Sequence, residues 1–256
     1  DSVASRGLGD VYKRQQVVPY QEKKISKKTQ IRKMFDKISS NYDVLNRIIS
    51  GGIDILWRKK VVSLLIPEKP KKVLDVATGT GDLAIELIKT NANEIVGVDI
   101  SEGMLKIGIN KVKNRKLNNT ISMEIGDSEK LSYPDNYFDA ATVAFGVRNF
   151  ENLDKGLSEI RRVLRTGGNL VILETAVPQR FLVRQFYNFY TSKIMPLLGL
   201  IFAKDISAYR YLSNSAAAFP FGTAFNNILI KNGFIKVKNL PQTFGVASIY
   251  CARKPD

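Results

Sequence analysis

An α/β fold, with a mostly parallel sheet covered by helices on both faces, follows from three features of the 256-residue sequence. From about residue 72 onward, short apolar runs alternate with stretches of helical period. Such alternation builds strand–helix–strand units, whose crossovers run neighbouring strands parallel. The first apolar run, Lys72 to Ala77, enters Thr78-Gly79-Thr80-Gly81-Asp82, a glycine-rich turn that opens into a helix. Ahead of this lies a segment that is helical in period throughout.

Residues 1–15 show no period and no cap signal. Asp10 to Gln15 back-translates to a sequence resembling the end of a transposon adapter used in library preparation, so this leader is expected to be non-native and is set aside. Residues 16–66 form the N-terminal helical segment. Ile31, Met34, Phe35 and Ile38 lie on one helical face, and Tyr42, Leu45, Ile48 and Ile49 on another after an expected break at Ser39-Ser40-Asn41. Gly51-Gly52 stops that helix. A third helix is expected after Asp54 as its N-cap, carrying Leu56, Trp57, Val61, Leu64 and Leu65 to Pro67.

Residues 67–256 form the main domain. Strands are expected at Lys72 to Ala77, Glu94 to Asp99, Ile121 to Ile125, Phe138 to Phe145 and, after a turn at Gly167-Gly168, Asn169 to Glu174. Helices are expected at Leu83 to Lys89, Ser101 to Val112 and Asp154 to Leu164. Residues 178 to 220 interrupt the alternation with a long, aromatic, helical stretch that reads as an insertion. A helix from Ala216 to Asn232 and strands at Phe234 to Asn239 and Phe244 to Ala252 close the chain.

Composition narrows the chemistry. One cysteine, Cys251, rules out a disulfide framework and a multi-cysteine metal site, and no metal site is expected. With no histidine, proton chemistry falls to carboxylates, Tyr, Lys, Arg or water. The net charge of +15 attracts anions, among them nucleic acid and phospholipid head groups. The lysines are scattered, however, with no basic block interleaved with aromatics, so no nucleic-acid partner is expected. The most apolar stretch, Phe181 to Ala203, is interrupted by Arg184 and Lys193, and the first residues lack an apolar signal core; a cytoplasmic location is expected.

The glycine turn indicates an adenosine-bearing ligand. Glycines let the backbone turn sharply and approach a ligand, and Asp99, at the end of the second strand, is placed to accept from ribose hydroxyls. The spacing of Gly79, Gly81 and Ala84 also matches a dinucleotide fingerprint, but a pyrophosphate disfavours nearby acids, and Asp75 and Asp82 flank this turn. Acids suit a ligand bearing an amino group and a sulfonium. Asp127, following the third strand in Gly126-Asp127-Ser128, is placed for an adenine amino group.

Several motifs in fixed order carry a resemblance. Lys37 to Arg47, Ser50 to Arg58, Phe145-Gly146-Val147-Arg148-Asn149, Tyr211-Leu212-Ser213 and Phe219-Pro220 resemble the menaquinone and ubiquinone C-methyltransferase family, over about Thr29 to Ala252. The resemblance implies a Rossmann-like class I methyltransferase fold with a seven-stranded sheet, an N-terminal helical extension and a helical lid insertion. It implies S-adenosyl-L-methionine as cofactor, bound at Thr80, Asp99, Asp127 and Ser128, to which the reading of the turn itself adds Asp75, Gly79 and Gly81. Ala144 stands where some relatives carry a serine. The implied reaction is C-methylation of a polyprenylated quinol, demethylmenaquinol to menaquinol, with a ubiquinone-type benzoquinol as the alternative acceptor. Arg148, Asn149 and Tyr42 are the expected catalytic residues, and Asn46, Asp54 and Phe145 the expected substrate wall.

The aromatic insertion suits a polyprenyl tail and reversible contact with an anionic membrane surface. A homodimer is the working expectation for assembly, on no direct signal. An RNA or small-molecule methyltransferase and a non-catalytic cofactor-binding scaffold are the competing readings; neither a broken cofactor turn nor a lost Arg148-Asn149 pair is present to favour the scaffold.

Overall fold

The computed structural model describes residues 17–20, 25–194 and 206–256. The leader 1–15 therefore lies outside the described residues, as do Leu197, Leu198, Leu200, Ile201 and Phe202 of the insertion.

Two helices come first, α1 (Lys27–Ser50) and α2 (Ile53–Leu65). Helix α1 runs unbroken through Ser39-Ser40-Asn41, contrary to the expected break. Its buried stripe, Ile31, Met34, Ile38 and Leu45, spans that point, and the Ser39 hydroxyl is satisfied by donating to the Asp36 carbonyl at 2.9 Å. Apolar burial thus overrides the weak helix propensity of three small polar residues. Gly51 ends α1 in the left-handed conformation (φ 58°) and Gly52 (φ 77°) precedes α2. Asp54 is consequently not the N-cap; it sits in the first turn of α2, a favourable end of the helix for a carboxylate.

The sheet contains β1 (Lys72–Val76), β2 (Glu94–Asp99), β3 (Ile121–Ile125), β4 (Phe138–Ala144), β5 (Leu164–Thr175), β6 (Ile235–Gln242) and β7 (Ala247–Arg253), in the order β3-β2-β1-β4-β5-β7-β6. The pairs from β3 through β5 are parallel, and β7 runs antiparallel to both β5 and β6. Strand β5 starts earlier than expected: Leu164 pairs with Phe138 before the register jumps to Asn169 opposite Ala140. The turn at Gly167 (φ 69°) is therefore a bulge inside the strand.

Helices α3 (Asp82–Glu86), α4 (Glu102–Asn114) and α5 (Leu153–Val163) are the crossovers. Ser101 and Asn152 cap α4 and α5 with side-chain oxygens. The insertion supplies α6 (Phe181–Phe189) and α7 (Ile206–Ala218), and α8 (Thr223–Lys231) follows. The single helix expected from Ala216 to Asn232 is divided, because Pro220 lacks a backbone donor and Gly222 takes φ 60°, so Ala216 ends up buried in α7.

One apolar layer joins the sheet to α5 and α8 through Leu157, Ile160, Phe225 and Leu229. The other joins it to α2 and α3 through Val61, Leu65, Leu83 and Ala84. A third cluster of Ile31, Met34, Met104, Ala208 and Tyr211 seats α1 against α4 and α7. Strand order reverses between β1 and β4, which opens a crevice at the carboxyl ends of those strands. Helix α1 lies across that crevice, tied to it by the side chains described below.

Candidate active site

The turn after β1 is built from below. Both oxygens of the Asp75 carboxylate are occupied: the Thr78 hydroxyl donates at 2.6 Å and the Thr142 hydroxyl at 2.7 Å. Asp75 is buried at 1% exposure, and that burial lifts its pKa to about 6 against the pull of the two hydroxyls. The structure thus places Asp75 underneath the turn, fixing its shape, rather than on the cleft surface. Gly97 of β2 makes room for the turn, since a Cβ there would stand 2.9 Å from the Thr78 hydroxyl oxygen. On the outer side, a Cβ on Gly79 would meet nothing within 4 Å. The turn is closed beneath and open above, as a ligand approaching the backbone requires.

That open side faces a narrow cleft of about 70 Å³ lined in part by Gly79, Asp99, Asp127, Ser128, Ala144 and Asn149. Asp99 caps the turn: one oxygen accepts from the Gly79 backbone at 2.8 Å and the other from Ser101 at 2.9 Å. Burial raises its pKa to about 6, opposed by those backbone donors. Asp127 is bridged by Lys28 of α1 at 2.7 Å. Burial alone would lower the Lys28 pKa, but pairing with Asp127 and Glu129 outweighs it and raises it.

Thr80 and Gly81 complete the turn without reaching the cleft surface. Thr80 donates to Asp43 at 2.6 Å and accepts from Lys111 at 3.1 Å, while Gly81 (φ 79°) starts α3. Asp82 pairs with Arg47 at 2.6 Å and with Lys111 at 2.8 Å. The charge of Asp82 is thus balanced within the protein, and it makes no free negative field at the cleft, while Asp75 is held by hydroxyls beneath the turn. The charge pattern pointed to the ligand class through acids that serve the fold.

Beside the cleft lies a wider, chiefly apolar cavity of about 440 Å³. Tyr42 and Phe145 line both spaces and form their common wall. Phe145 holds a left-handed backbone (φ 58°) directly after β4, an unusual conformation for a bulky residue at the junction of two ligand spaces. Trp57 packs against it at 6.2 Å and is locked by its indole donating to Thr243 at 2.8 Å. Asn46 and Asp54 line the cavity. Asp54 is saturated, however, by Arg47, Arg58 and the Ser50 hydroxyl, so it braces α1 against α2.

Arg148 and Asn149 sit on a single 3₁₀ turn following β4. Arg148 lines the wide cavity and is 8% exposed. It is ion-paired with Glu174 at the end of β5, which is 0% exposed. Burial opposes the Arg148 charge, but Glu174, Tyr42 and Tyr211 more than offset it and hold its pKa above the usual value. Asn149 faces the narrow cleft; its amide oxygen accepts from Tyr211 at 3.0 Å and its amide nitrogen donates to the Phe145 carbonyl at 3.3 Å. The Lys27 ammonium, buried in α1, donates to the carbonyls of Arg148 (3.2 Å) and Phe150 (2.9 Å). Burial lowers its pKa to about 8.

Glu174, Lys27 and Thr175 carried no sequence signal: a carboxylate at a strand end, a lysine at a helix start and a threonine after a strand are common, and only the tertiary fold brings them to the same turn. Among the described residues there is no cluster of acids and cysteines able to hold a metal ion.

The doubly wound sheet and the glycine turn open on its outer face are the architecture of the S-adenosylmethionine-dependent methyltransferases. The fold likeness extends to solved structures. A Methanococcus maripaludis S-adenosylmethionine-dependent methyltransferase has a TM-score of 0.61 at 20% identity, covering 86% of this chain and 94% of its own. The [4+2]-cyclase SpnF has a TM-score of 0.54 at 20% identity, covering 89% and 97%. That a cyclase shares the architecture shows that the fold alone does not specify the reaction.

Sequence resolves the family. The chain belongs to the ubiE/COQ5 methyltransferase family, whose model matches residues 23–254. The demethylmenaquinone methyltransferase of Bacteroides fragilis is 46% identical over 244 residues, covering 95% of this chain and 99% of that protein. The ubiquinone/menaquinone biosynthesis C-methyltransferase UbiE of Geobacter sulfurreducens is 42% identical, covering 88% of each.

Proposed function

We propose that this chain transfers a methyl group from S-adenosylmethionine to a ring carbon of a polyprenylated quinol, converting demethylmenaquinol to menaquinol. The observation that carries the reading is the pairing of a polar cofactor cleft with a large apolar cavity across one shared wall, Tyr42 and Phe145. The cofactor supplies an electrophilic methyl on a sulfonium, and the protein's part is alignment, charge stabilisation and exclusion of water.

Gly79, Asp99, Asp127 and Ser128 line the adenosine side of the cleft, and Thr80, Gly81 and Asp75 hold the turn in shape. Across the wall, Arg148 is the cation facing a ring oxygen that becomes a phenolate as the ring carbon attacks. Tyr42 is held protonated by burial, which raises its pKa despite a hydrogen bond from Asn46, and so presents a hydroxyl donor. Asn149, fixed by Tyr211, orients the ring at the cleft side.

The polyprenyl tail is assigned to the mouth formed by α6. Val183, Phe186, Tyr187 and Tyr190 of that segment line the cavity, while Phe181, Leu182 and Phe189 are 58–72% exposed beside it. An outward aromatic face on a chain of net charge +15 suits reversible contact with an anionic bilayer. Among the described residues no helix is long and apolar enough to cross a membrane.

The test is methyl transfer from labelled S-adenosylmethionine to short-chain demethylmenaquinol and, separately, to the matching benzoquinol. Label in the naphthoquinol is the expected outcome. Label in the benzoquinol alone reassigns the acceptor, and label in neither while the cofactor binds by calorimetry refutes the quinol reading.

A further inference from the structure

We propose that Glu174 is the carboxylate that takes up the quinol hydroxyl proton, reached through the hydroxyl of Thr175; this rests on the quinol reading above. Arg148 cannot serve, because a guanidinium is a permanent donor with no acceptor site. Tyr42 is a protonated phenol for the reason already given. Asp54 is the one carboxylate lining the wide cavity among the described residues, and Asp99, Asp127, Glu129 and Glu151 all line the cofactor cleft instead. Asp54 is saturated by two arginines and a serine.

Glu174 differs. Its Oε1 accepts from Arg148, from the Thr175 backbone at 2.7 Å and from the Thr175 hydroxyl at 3.1 Å. Its Oε2 is buried with no hydrogen-bond partner among the described residues. Asp54 also accepts three hydrogen bonds, but spread over both oxygens; those of Glu174 all fall on Oε1, which leaves Oε2 open to hold a proton. Thr175 lines the substrate cavity while its hydroxyl points back to Glu174, so it connects the two.

The step balances. The quinol O–H proton passes to Thr175 Oγ1 as the threonine proton passes to the Glu174 carboxylate, coming to rest on the open Oε2. The ring carbon forms its bond to the methyl, and the methyl–sulfur bond breaks with its electron pair going to sulfur. The methylated carbon then releases its hydrogen to solvent as a proton, restoring the aromatic ring, and the ring oxygen recovers its proton from Glu174 by the reverse path. One proton is released per turnover. Arg148, in contact with Glu174 and facing the cavity, stabilises the oxygen while it is anionic.

The experiment uses the full chain, labelled S-adenosylmethionine and short-chain demethylmenaquinol. Glu174→Ala lowers kcat by about a hundredfold or more, the usual scale for a lost proton acceptor, with cofactor affinity by calorimetry unchanged. Added formate restores turnover, whereas chloride, which neutralises Arg148 but accepts no proton, does not. Thr175→Val lowers kcat without raising KM, and Thr175→Ser recovers it. Equal rescue by chloride and formate, or wild-type kcat in Glu174→Ala or Thr175→Val, overturns the proposal. Should Glu174→Ala fail to fold, the Thr175 pair decides alone. Absence of label in wild type would remove the quinol reading and this role together; labelling by wild type with unimpaired variants removes only this role.

Discussion

Asp99 makes a single side chain answerable to pH. Burial holds its pKa near 6, and in its proposed role it accepts from ribose hydroxyls, which the ionised form does best. Cofactor affinity is therefore full above that value and falls toward a limiting tenfold per pH unit below it; titration calorimetry between pH 5 and 8 reads this, and a flat profile contradicts it. Asp75 has the same raised direction, and its effect falls on stability. A carboxyl whose pKa is higher folded than unfolded favours the folded state most at low pH, so this contribution declines as pH rises from about 4 to about 6. Gly97 offers a steric test. Alanine there forces Thr78 and Met123 to shift, a crowding that costs roughly 1–3 kcal/mol. We expect a lower melting temperature and weaker cofactor binding in Gly97→Ala. At this scale the sequence was partly legible. The glycines and Asp99 were readable because the turn needs a backbone only glycine tolerates and an acid at a fixed strand end. The roles of Asp54 and Asp82 were not, because a carboxylate's chemistry depends on which cations the fold brings beside it.

Helix α1 is the element on which the site depends most. Lys28 reaches the loop after β3, Asp36 accepts from Ser101 (2.6 Å) and Gly103 (3.0 Å) after β2, Asp43 holds Thr80 after β1, and Lys27 holds the turn after β4. Lys27→Met removes both donors from the Arg148 turn while leaving the cofactor loop untouched. We expect kcat to fall about tenfold, equivalent to ~1.4 kcal/mol, with cofactor affinity unchanged by calorimetry. Hydrogen exchange should quicken at residues 147–150; loss of cofactor binding to the same degree would instead show that the lysine supports the whole crevice. Strands were the most legible elements, β2 and β3 being read to the residue, since an apolar run between polar turns has few alternatives. Helix limits were less so. The continuity of α1 across Ser39-Ser40-Asn41 and the division at Phe219-Pro220 are set by tertiary burial and by proline, which compete with local propensity.

For the whole molecule, charge and shape act together. The surplus of cations attracts an anionic surface at long range, and the outer face of α6 supplies apolar contact at short range. Co-sedimentation with anionic vesicles is expected at low salt and should weaken as salt rises. Leu182→Asp, at an exposed position outside the cavity lining, should reduce it further without altering turnover of a short-tailed quinol. Retention of binding by that variant would place the contact elsewhere. The mostly parallel sheet with helices on both faces was legible as a class, because alternating elements admit few arrangements; the strand order was not read. The two-chambered interior was not, since it arises from α1 and the insertion meeting over the sheet. The common wall has an evolutionary corollary. Tyr42 belongs to a helix whose other side chains fasten all four crevice loops, and Phe145 occupies a backbone conformation few residues accept. Mutations that reshape the acceptor chamber there also disturb the donor's seat, so lineages shifting to a new quinol would accumulate changes first on α6, whose cavity-lining side chains do not border the cofactor cleft.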